Sequence, residues 1–141
     1  MSTRIVREWM TPQVVVITPE TTLPDAHKLM QEHGIRRLPV VKDGKLVGIV
    51  TLSDIREAKP SDATSLSIWE MNYLLAKLTI KQLMSSPVIT TAPETAVGEA
   101  AKTMLNSKIS ALPVVDRAGK LVGIITESDV FRMLVAELNK A

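Results

Sequence analysis

One long pattern occurs twice in this sequence of 141 residues. The run from Leu38 to Asp54 starts with Leu-Pro-Val-Val and ends with Gly-h-h-Thr-x-Ser-Asp, where h is apolar, and it returns from Leu112 to Asp129. A recurrence over roughly 60 to 75 residues is too long for a solenoid step and fits two half-domains that share one core. We therefore expect two repeats, residues 1–60 and 80–141, joined by a connecting segment, residues 61–79.

Length and composition indicate a folded protein without thiol chemistry. Hydrophobic residues make up 45% of the chain and charged residues 23%, which is ordinary for a globular protein. Each repeat alone would be marginally stable, because small units bury little of their surface. Cysteine is missing from the sequence, which excludes disulfides and zinc–thiolate sites. No apolar run reaches the length of a membrane span, so we expect a cytoplasmic protein with no membrane partner.

The charge pattern argues against nucleic acid as a ligand. The 17 basic side chains are spread among 15 acidic ones, and aromatic residues make up only 3% of the chain. Proteins that bind nucleic acid usually gather basic residues on one surface and often add aromatic residues for stacking. We therefore expect no nucleic-acid partner.

Hydrophobic spacing predicts the order β-α-β-β-α in each repeat, and hence an α/β (α+β) fold. In the first repeat the β-branched run Val14–Ile17 predicts a buried strand, and Thr22 can cap the helix that follows it. Residues 37–42 and 45–51 then predict a hairpin, because the Asp-Gly pair between them suits a tight two-residue turn. A further helix is expected after each hairpin.

The connecting segment predicts a helix of its own. Ser67 and Glu70 have the spacing of a capping box, and the helix should run to about Leu78. Trp69 and Tyr73 fall on one face of it. We expect that face to pack against the rest of the protein or a partner chain rather than to bind a cofactor.

Two interpretations are open for the end of each repeated run. Thr51 with Asp54, and Thr126 with Asp129, have the spacing of a helix cap, in which case their role is structural. Alternatively, each aspartate can accept hydrogen bonds from the vicinal hydroxyls of a ribose, while the threonine and nearby backbone N–H groups donate to a phosphate. Because the pattern is duplicated, the second interpretation gives two nucleotide sites.

Arginines near the first hairpin are candidates for phosphate contacts. Arg36 and Arg37 stand where the second repeat has Ser110 and Ala111. Guanidinium groups match phosphate oxygens well, although each arginine could equally lie at a solvated strand entrance. The two sites therefore cannot be equivalent.

The sequence gives no sign of catalysis. His27 and His33 lie about 240° apart around the predicted helix, so they cannot form a metal pair on one face. A phosphate-binding loop of the Gly-x-x-x-x-Gly-Lys type is missing as well. We expect no catalytic residue, no metal and no obligatory cofactor.

These motifs resemble paired cystathionine β-synthase (CBS) domains, the Bateman module, over essentially the whole chain. The stretches Ile55–Ala58 and Ala63–Glu70 are further similar to the CBS pair of acetoin-utilization AcuB-type proteins. The resemblance implies two CBS motifs packed by pseudo-twofold symmetry. It also implies a sensor that binds AMP, ADP, ATP or S-adenosylmethionine in the cleft between the motifs.

The resemblance assigns ribose contacts to the two aspartates, positions near the phosphates to the two threonines, and adenine contacts to the first strand and the segment before Leu-Pro-Val. With the arginines and the serines beside the aspartates, the candidate ligand-binding residues are Val16, Ile17, Ile35, Arg36, Arg37, Thr51, Ser53 and Asp54 in the first repeat, and Thr90, Thr91, Ile109, Ser110, Thr126, Ser128 and Asp129 in the second.

The resemblance also implies partners. Family members often form flat dimers through their helices, so a homodimer is expected. AcuB-type chains commonly continue into an ACT domain, which this sequence lacks, so we expect any effector protein to be regulated in trans. The alternative hypotheses are a dimerisation or docking module that binds no small molecule and, more weakly, a phosphotransfer or nucleotide-hydrolysing enzyme.

Overall fold

The structure, a computed structural model, describes residues 4–58 and 66–140. The start of the predicted connecting segment, including Ala63 to Ser65 of the AcuB-like stretch, lies outside the described residues. Within the described ranges the chain forms seven helices and four strands, which confirms the expected mixed fold. In chain order they are α1 (Val6–Trp9), α2 (Leu23–His33), β1 (Arg37–Lys42), β2 (Lys45–Thr51), α3 (Leu52–Ala58), α4 (Ile68–Lys77), α5 (Ile80–Leu83), α6 (Val97–Ser107), β3 (Ala111–Val115), β4 (Leu121–Thr126) and α7 (Glu127–Leu138).

Each repeat forms one antiparallel hairpin, as predicted. Strand β1 pairs with β2 and β3 pairs with β4, and each ladder shifts register once, after Val40 and after Val114. The first turn places Asp43 at φ 52° and Gly44 at φ 79°. Positive φ at both central residues is the geometry that matches the twist of a two-residue hairpin, which is why an Asp-Gly pair stands there.

The predicted strand Val14–Ile17 is wrong except at its last residue. Ile17 alone forms a parallel bridge to Val40, donating its N–H to the carbonyl of Pro39 and accepting from the N–H of Val41. The chain divides into two compact units, and one boundary falls between Val14 and Val15. Residues before Val15 therefore belong to the other unit and cannot extend the ladder beside β1.

The segment that opens each repeat belongs to the unit that contains the hairpin of the other repeat. The first-hairpin unit is Val15–Val88, and the second-hairpin unit contains the chain up to Val14 and from Ile89 onward. Helix α1 of the first repeat therefore packs with α6 and α7, while α5 of the second repeat packs with α3. These boundaries differ from residues 60 and 80, where the sequence repeats divide.

Equivalent positions build the two cores. Helices α2 and α6 each bury three residues on one face, and Leu29 of α2 packs partly buried against the first-hairpin core. The exchanged segments contribute Ile80 to one core and Val6 to the other. The first-hairpin core contains Ile17, Leu23, Ala26, Met30, Leu38, Val40, Val50, Ile55 and Ile80, and the second-hairpin core contains Val6, Val97, Ala100, Met104, Leu112, Val114 and Ile125.

The connecting helix α4 begins at the predicted capping box of Ser67 and Glu70, with both reciprocal hydrogen bonds present. It packs on α2, and Leu75 contacts the first-hairpin core. Trp69 and Tyr73 are 81% and 60% exposed, so their face does not pack against the described part of the protein. Packing of this face against a partner chain stays a prediction.

A methionine covers one glycine in each hairpin. A Cβ built on Gly48 would lie 2.5 Å from Sδ of Met84, and one built on Gly123 would lie 2.6 Å from Sδ of Met10. Each methionine comes from the repeat that does not supply the glycine. Glycine in these strands therefore permits a close approach that fixes the exchanged segment.

Substituting these glycines should destabilise the protein unequally. At Gly123 a new methyl group would also lie 2.9 Å from the backbone oxygen of Thr11, which cannot rotate away, whereas at Gly48 it would meet only the flexible side chain of Met84. We expect Gly123→Ala to lower the free energy of unfolding by about 1–3 kcal/mol and Gly48→Ala to lower it less. Chemical denaturation measures both values.

Gly98→Ala is the matched control. Gly98 lies in α6 with nothing within 4 Å of a new Cβ, so alanine there should be neutral or stabilising. If Gly48→Ala lowers the free energy of unfolding more than Gly123→Ala does, the clash with the backbone oxygen of Thr11 is not the deciding contact.

Candidate functional site

The end of each hairpin brings the predicted site residues together. The carbonyl of Arg36 accepts a 2.7 Å hydrogen bond from the N–H of Leu52, the first residue of α3. In the second repeat the carbonyl of Ser110 accepts from the N–H of Glu127, the first residue of α7, at 3.0 Å. The residue before each hairpin thus lies beside the junction between its last strand and the next helix.

The capping interpretation of the junctions holds in both repeats. Thr51 N donates to Asp54 Oδ2 at 2.8 Å, and Asp54 N donates to Thr51 Oγ1 at 3.2 Å. Thr126 N donates to Asp129 Oδ2 at 2.9 Å, and Asp129 N donates to Thr126 Oγ1 at 3.4 Å. These reciprocal bonds hold each carboxylate at the end of its hairpin and commit its Oδ2 atom.

The other carboxylate oxygen differs between the repeats. Asp129 Oδ1 accepts a 2.6 Å hydrogen bond from Arg132 Nη1, and Asp129 is only 3% exposed. No hydrogen bond reaches Asp54 Oδ1 from residues 4–58 or 66–140, and Asp54 is partly exposed. Because each carboxylate oxygen has two lone pairs, the cap leaves Asp54 able to accept further hydrogen bonds.

The basic and apolar residues beside the first junction have distinct environments. Arg36 is exposed, whereas Arg37 is half-buried and pairs in register with Thr51. Ile35 is half-buried, and its N–H donates to the carbonyl of Met30. The segment that leads into the first hairpin therefore brings two cations, Arg36 and Arg37, and one apolar side chain, Ile35, close to the first junction.

The second junction has the same backbone with different side chains. Ile109 occupies the position of Ile35 and donates its N–H to Met104, while Ser110 and Ala111 replace the two arginines. Ile109 and Ser110 are half-buried, and Ala111 is buried. This junction presents no arginine from the segment before its hairpin.

The candidate residues that precede the first helix of each repeat differ in how deeply they are buried. Ile17 is 4% exposed and belongs to the core, so its side chain supports the site rather than facing a ligand. Val16 is 42% exposed. Thr90 and Thr91 are half-buried at the corresponding positions, and Thr91 forms a parallel bridge to Val114.

The serines beside the aspartates lie in the first turns of α3 and α7. Ser53 and Ser128 are both exposed. Their hydroxyl groups are therefore accessible next to the carboxylates.

Sequence reasoning missed Arg132. The pairing of Arg132 with Asp129 could have been predicted, because opposite charges three residues apart on one helix can form an ion pair. The first repeat has Glu57 at the equivalent position, so this difference between the repeats was visible in the sequence.

Neither a metal-binding cluster nor a membrane-spanning helix is present among the described residues. Among residues 4–58 and 66–140, no cluster of three or more His, Asp or Glu side chains could hold a metal ion. Over the same residues, every helix is too short or too polar to cross a membrane.

The sequence pattern of the CBS domain matches residues 6–61 and 80–136, which is most of the chain and both repeats. The chain belongs to the CBS domain family. Its two CBS domains correspond to the two repeats.

Two curated relatives that match this chain are longer proteins. The chain is 39% identical over 118 residues to an inosine-5'-monophosphate dehydrogenase of Korarchaeum cryptofilum, covering 84% of this chain and 22% of the relative. It is 34% identical over 135 residues to the uncharacterized protein MJ1225 of Methanocaldococcus jannaschii, covering 91% of this chain and 46% of the relative. The chain thus spans less than half the length of these two relatives.

Solved structures with similar sequences have the same fold. The CBS domain pair of protein MJ0100, in complex with 5'-methylthioadenosine and S-adenosyl-L-methionine, has a TM-score of 0.78 and 29% identity and covers 96% of this chain and 99% of that one. A protein described as an acetoin utilization protein (AcuB) from Vibrio cholerae has a TM-score of 0.80 and 32% identity, with coverage of 97% and 94%. CBSX2 in complex with AMP has a TM-score of 0.79 and 31% identity, with coverage of 96% and 98%. CBSX2 is from Arabidopsis thaliana. The resemblance to CBS pairs and to the AcuB type is thereby confirmed.

The cap of the second CBS domain should contribute measurably to stability. Thr126→Ala removes the oxygen that accepts from Asp129 N, so we expect the free energy of unfolding to fall by about 1 kcal/mol. Thr126→Ser keeps a hydroxyl group and should lose less. Urea denaturation compares the three proteins, and equal values for wild type and Thr126→Ala would contradict the capping role.

Proposed function

We propose that this chain is a regulatory module that binds an adenosine nucleotide or S-adenosylmethionine, with the carboxylates of Asp54 and Asp129 accepting hydrogen bonds from the ribose. The observation that carries this proposal is the Oδ1 atom of Asp54, which accepts no hydrogen bond from the described residues and belongs to the junction where Leu52 donates to the carbonyl of Arg36. The chain is also similar to proteins solved with AMP, 5'-methylthioadenosine and S-adenosylmethionine. Those three ligands share an adenosine group.

The chemistry of the junction favours the sugar as the group that meets the carboxylate. A carboxylate is only an acceptor and carries negative charge, so it attracts hydroxyl donors and repels phosphate oxygens. The two hydroxyls of a ribose can both donate to one carboxylate. Phosphates, where the ligand has them, should therefore lie nearer to Arg36 and Arg37.

The remaining candidate residues have properties suited to the base and the rest of the ligand. Val16 and Ile35 offer accessible or partly accessible apolar surface for adenine in the first CBS domain. Thr90 and Ile109 would do the same in the second. Thr51 and Thr126 already accept or donate in the caps, so they contribute mainly by holding the aspartates.

The regulatory part of the proposal follows from binding linkage. A ligand that binds one conformation of the module more tightly shifts the population toward that conformation. An effector protein that distinguishes the two conformations would then respond to the ligand.

Loss of either aspartate should weaken binding more than it weakens folding. A hydrogen bond to a charged group contributes about 1.5–3 kcal/mol, so Asp54→Ala and Asp129→Ala should each weaken their own site by about ten- to a hundredfold. Isothermal titration with AMP, ADP, ATP and S-adenosylmethionine measures the affinity, and chemical denaturation of the same proteins measures stability.

Glu20→Ala and Glu99→Ala serve as matched controls, because each removes an exposed carboxylate from one of the two units. Both should bind like wild type. A wild-type protein that binds none of the four ligands, together with aspartate variants that lose only stability, would leave the capping role as the whole function of Asp54 and Asp129.

Self-association is a second candidate, supported by an apolar face on α7. Phe131, Leu134, Val135 and Leu138 follow the i, i+3, i+4, i+7 spacing of one helix face, and each is at least 45% exposed. Phe131 and Leu105 of α6 also line an apolar groove of about 660 Å³ in the second-hairpin unit.

We propose a second copy of this chain as the partner of this face, giving a homodimer. Four large apolar side chains on one face of α7 stay exposed in the described part of the chain, and the same face of a second copy would cover them. An apolar stripe of this spacing is also the pattern by which helices pack on each other.

A charge inserted into the α7 face should therefore separate the copies. We expect wild type to have twice the mass of one chain in light scattering after size-exclusion chromatography, and Phe131→Glu or Leu138→Glu to shift the mass toward a single chain. Ala136→Glu places the same charge on another face of the same helix and should leave the mass unchanged. A monomeric wild type would contradict the dimer.

A further inference from the structure

The two ribose-binding candidates differ by one ion pair. Arg132 Nη1 lies 2.6 Å from Asp129 Oδ1, although the arginine side chain is 67% exposed and the carboxylate side chain only 5%. In the first CBS domain the equivalent position is Glu57, which cannot pair with Asp54. The second carboxylate therefore has an intramolecular cation on the oxygen that its cap leaves available.

An occupied oxygen is a weaker acceptor for a ligand. With Oδ2 committed to Thr126 and Oδ1 to Arg132, ribose hydroxyls at Asp129 have to share or displace the guanidinium. Since Arg132 is mostly exposed, it can move into solvent at a small cost, as is usual for surface ion pairs. The pair should reduce affinity rather than abolish binding.

We propose that Arg132 is an intramolecular competitor for the Asp129 carboxylate, which makes the second adenosine site weaker than the first and causes the Asp54 site to fill first. This inference rests on the proposed function, because it assumes that both carboxylates contact a ribose. Arg132 thereby sets the ligand concentration at which the second site responds.

The test uses adenosine, which has no phosphate, and measures one site at a time by isothermal titration calorimetry. In an Asp54→Ala background, Arg132→Gln should tighten adenosine binding about two- to fivefold, the range that corresponds to exposed ion pairs. In an Asp129→Ala background, Glu57→Arg supplies the missing cation and should weaken adenosine binding by a similar factor. The two arms do not depend on each other.

Arg117→Gln is the matched control, since it removes the same charge from an exposed turn of the same unit and should not change affinity. Thermal unfolding of every variant checks that it is folded. If an aspartate background does not fold, Arg132→Gln alone should bring the two binding steps of wild type closer together.

Parallel titrations with AMP identify the alternative role of Arg132. If Arg132→Gln weakens AMP binding and leaves adenosine binding unchanged, the arginine contacts a phosphate and the competitor role is wrong. Unchanged adenosine affinity in both arms also overturns it. A wild-type protein that binds neither ligand overturns the proposed function, and this inference with it.

Discussion

The candidate sites depend on the reciprocal hydrogen bonds between threonine and aspartate at each strand–helix junction. They satisfy backbone N–H groups that the start of a helix leaves without partners, and they fix the carboxylate at the end of the hairpin. Capping and ligand binding are therefore not exclusive alternatives. One oxygen serves the cap, and the second is available in the first repeat and paired with an arginine in the second.

Packing explains why the pattern has to occur twice. Met10 of the first repeat covers Gly123 of the second, and Met84 covers Gly48, so each hairpin is completed by a segment from the other repeat. The buried residues Val6 and Ile80 extend the same exchange into the cores. A single repeat would leave the apolar face of its hairpin without this cover, and a unit of that size already buries little surface.

Much of this arrangement could be predicted from local sequence patterns. The hairpins, the helix faces and the caps follow from alternation, helical spacing and short-range hydrogen-bonding partners, all of which lie within a few residues. The run Val14–Ile17 was misinterpreted because β-branched residues favour a strand wherever a neighbour is available, and within this run only Ile17 has one, through its bridge to Val40. The exchange itself depends on contacts between distant residues, which periodicity does not report.

Some of the positions at which the two repeats differ lie at the junctions. The cores keep equivalent residues, such as Met30 and Met104, because close packing penalises changes of volume. Near the junctions, by contrast, Arg36 of the first repeat corresponds to Ser110 of the second, and Glu57 corresponds to Arg132. These changes cost little in packing because the side chains are accessible, yet they alter the charge that a ligand meets. The segment before the hairpin carries arginines in the first repeat and none at the matching positions of the second. Duplication thus preserved the scaffold while the charges at the two junctions diverged.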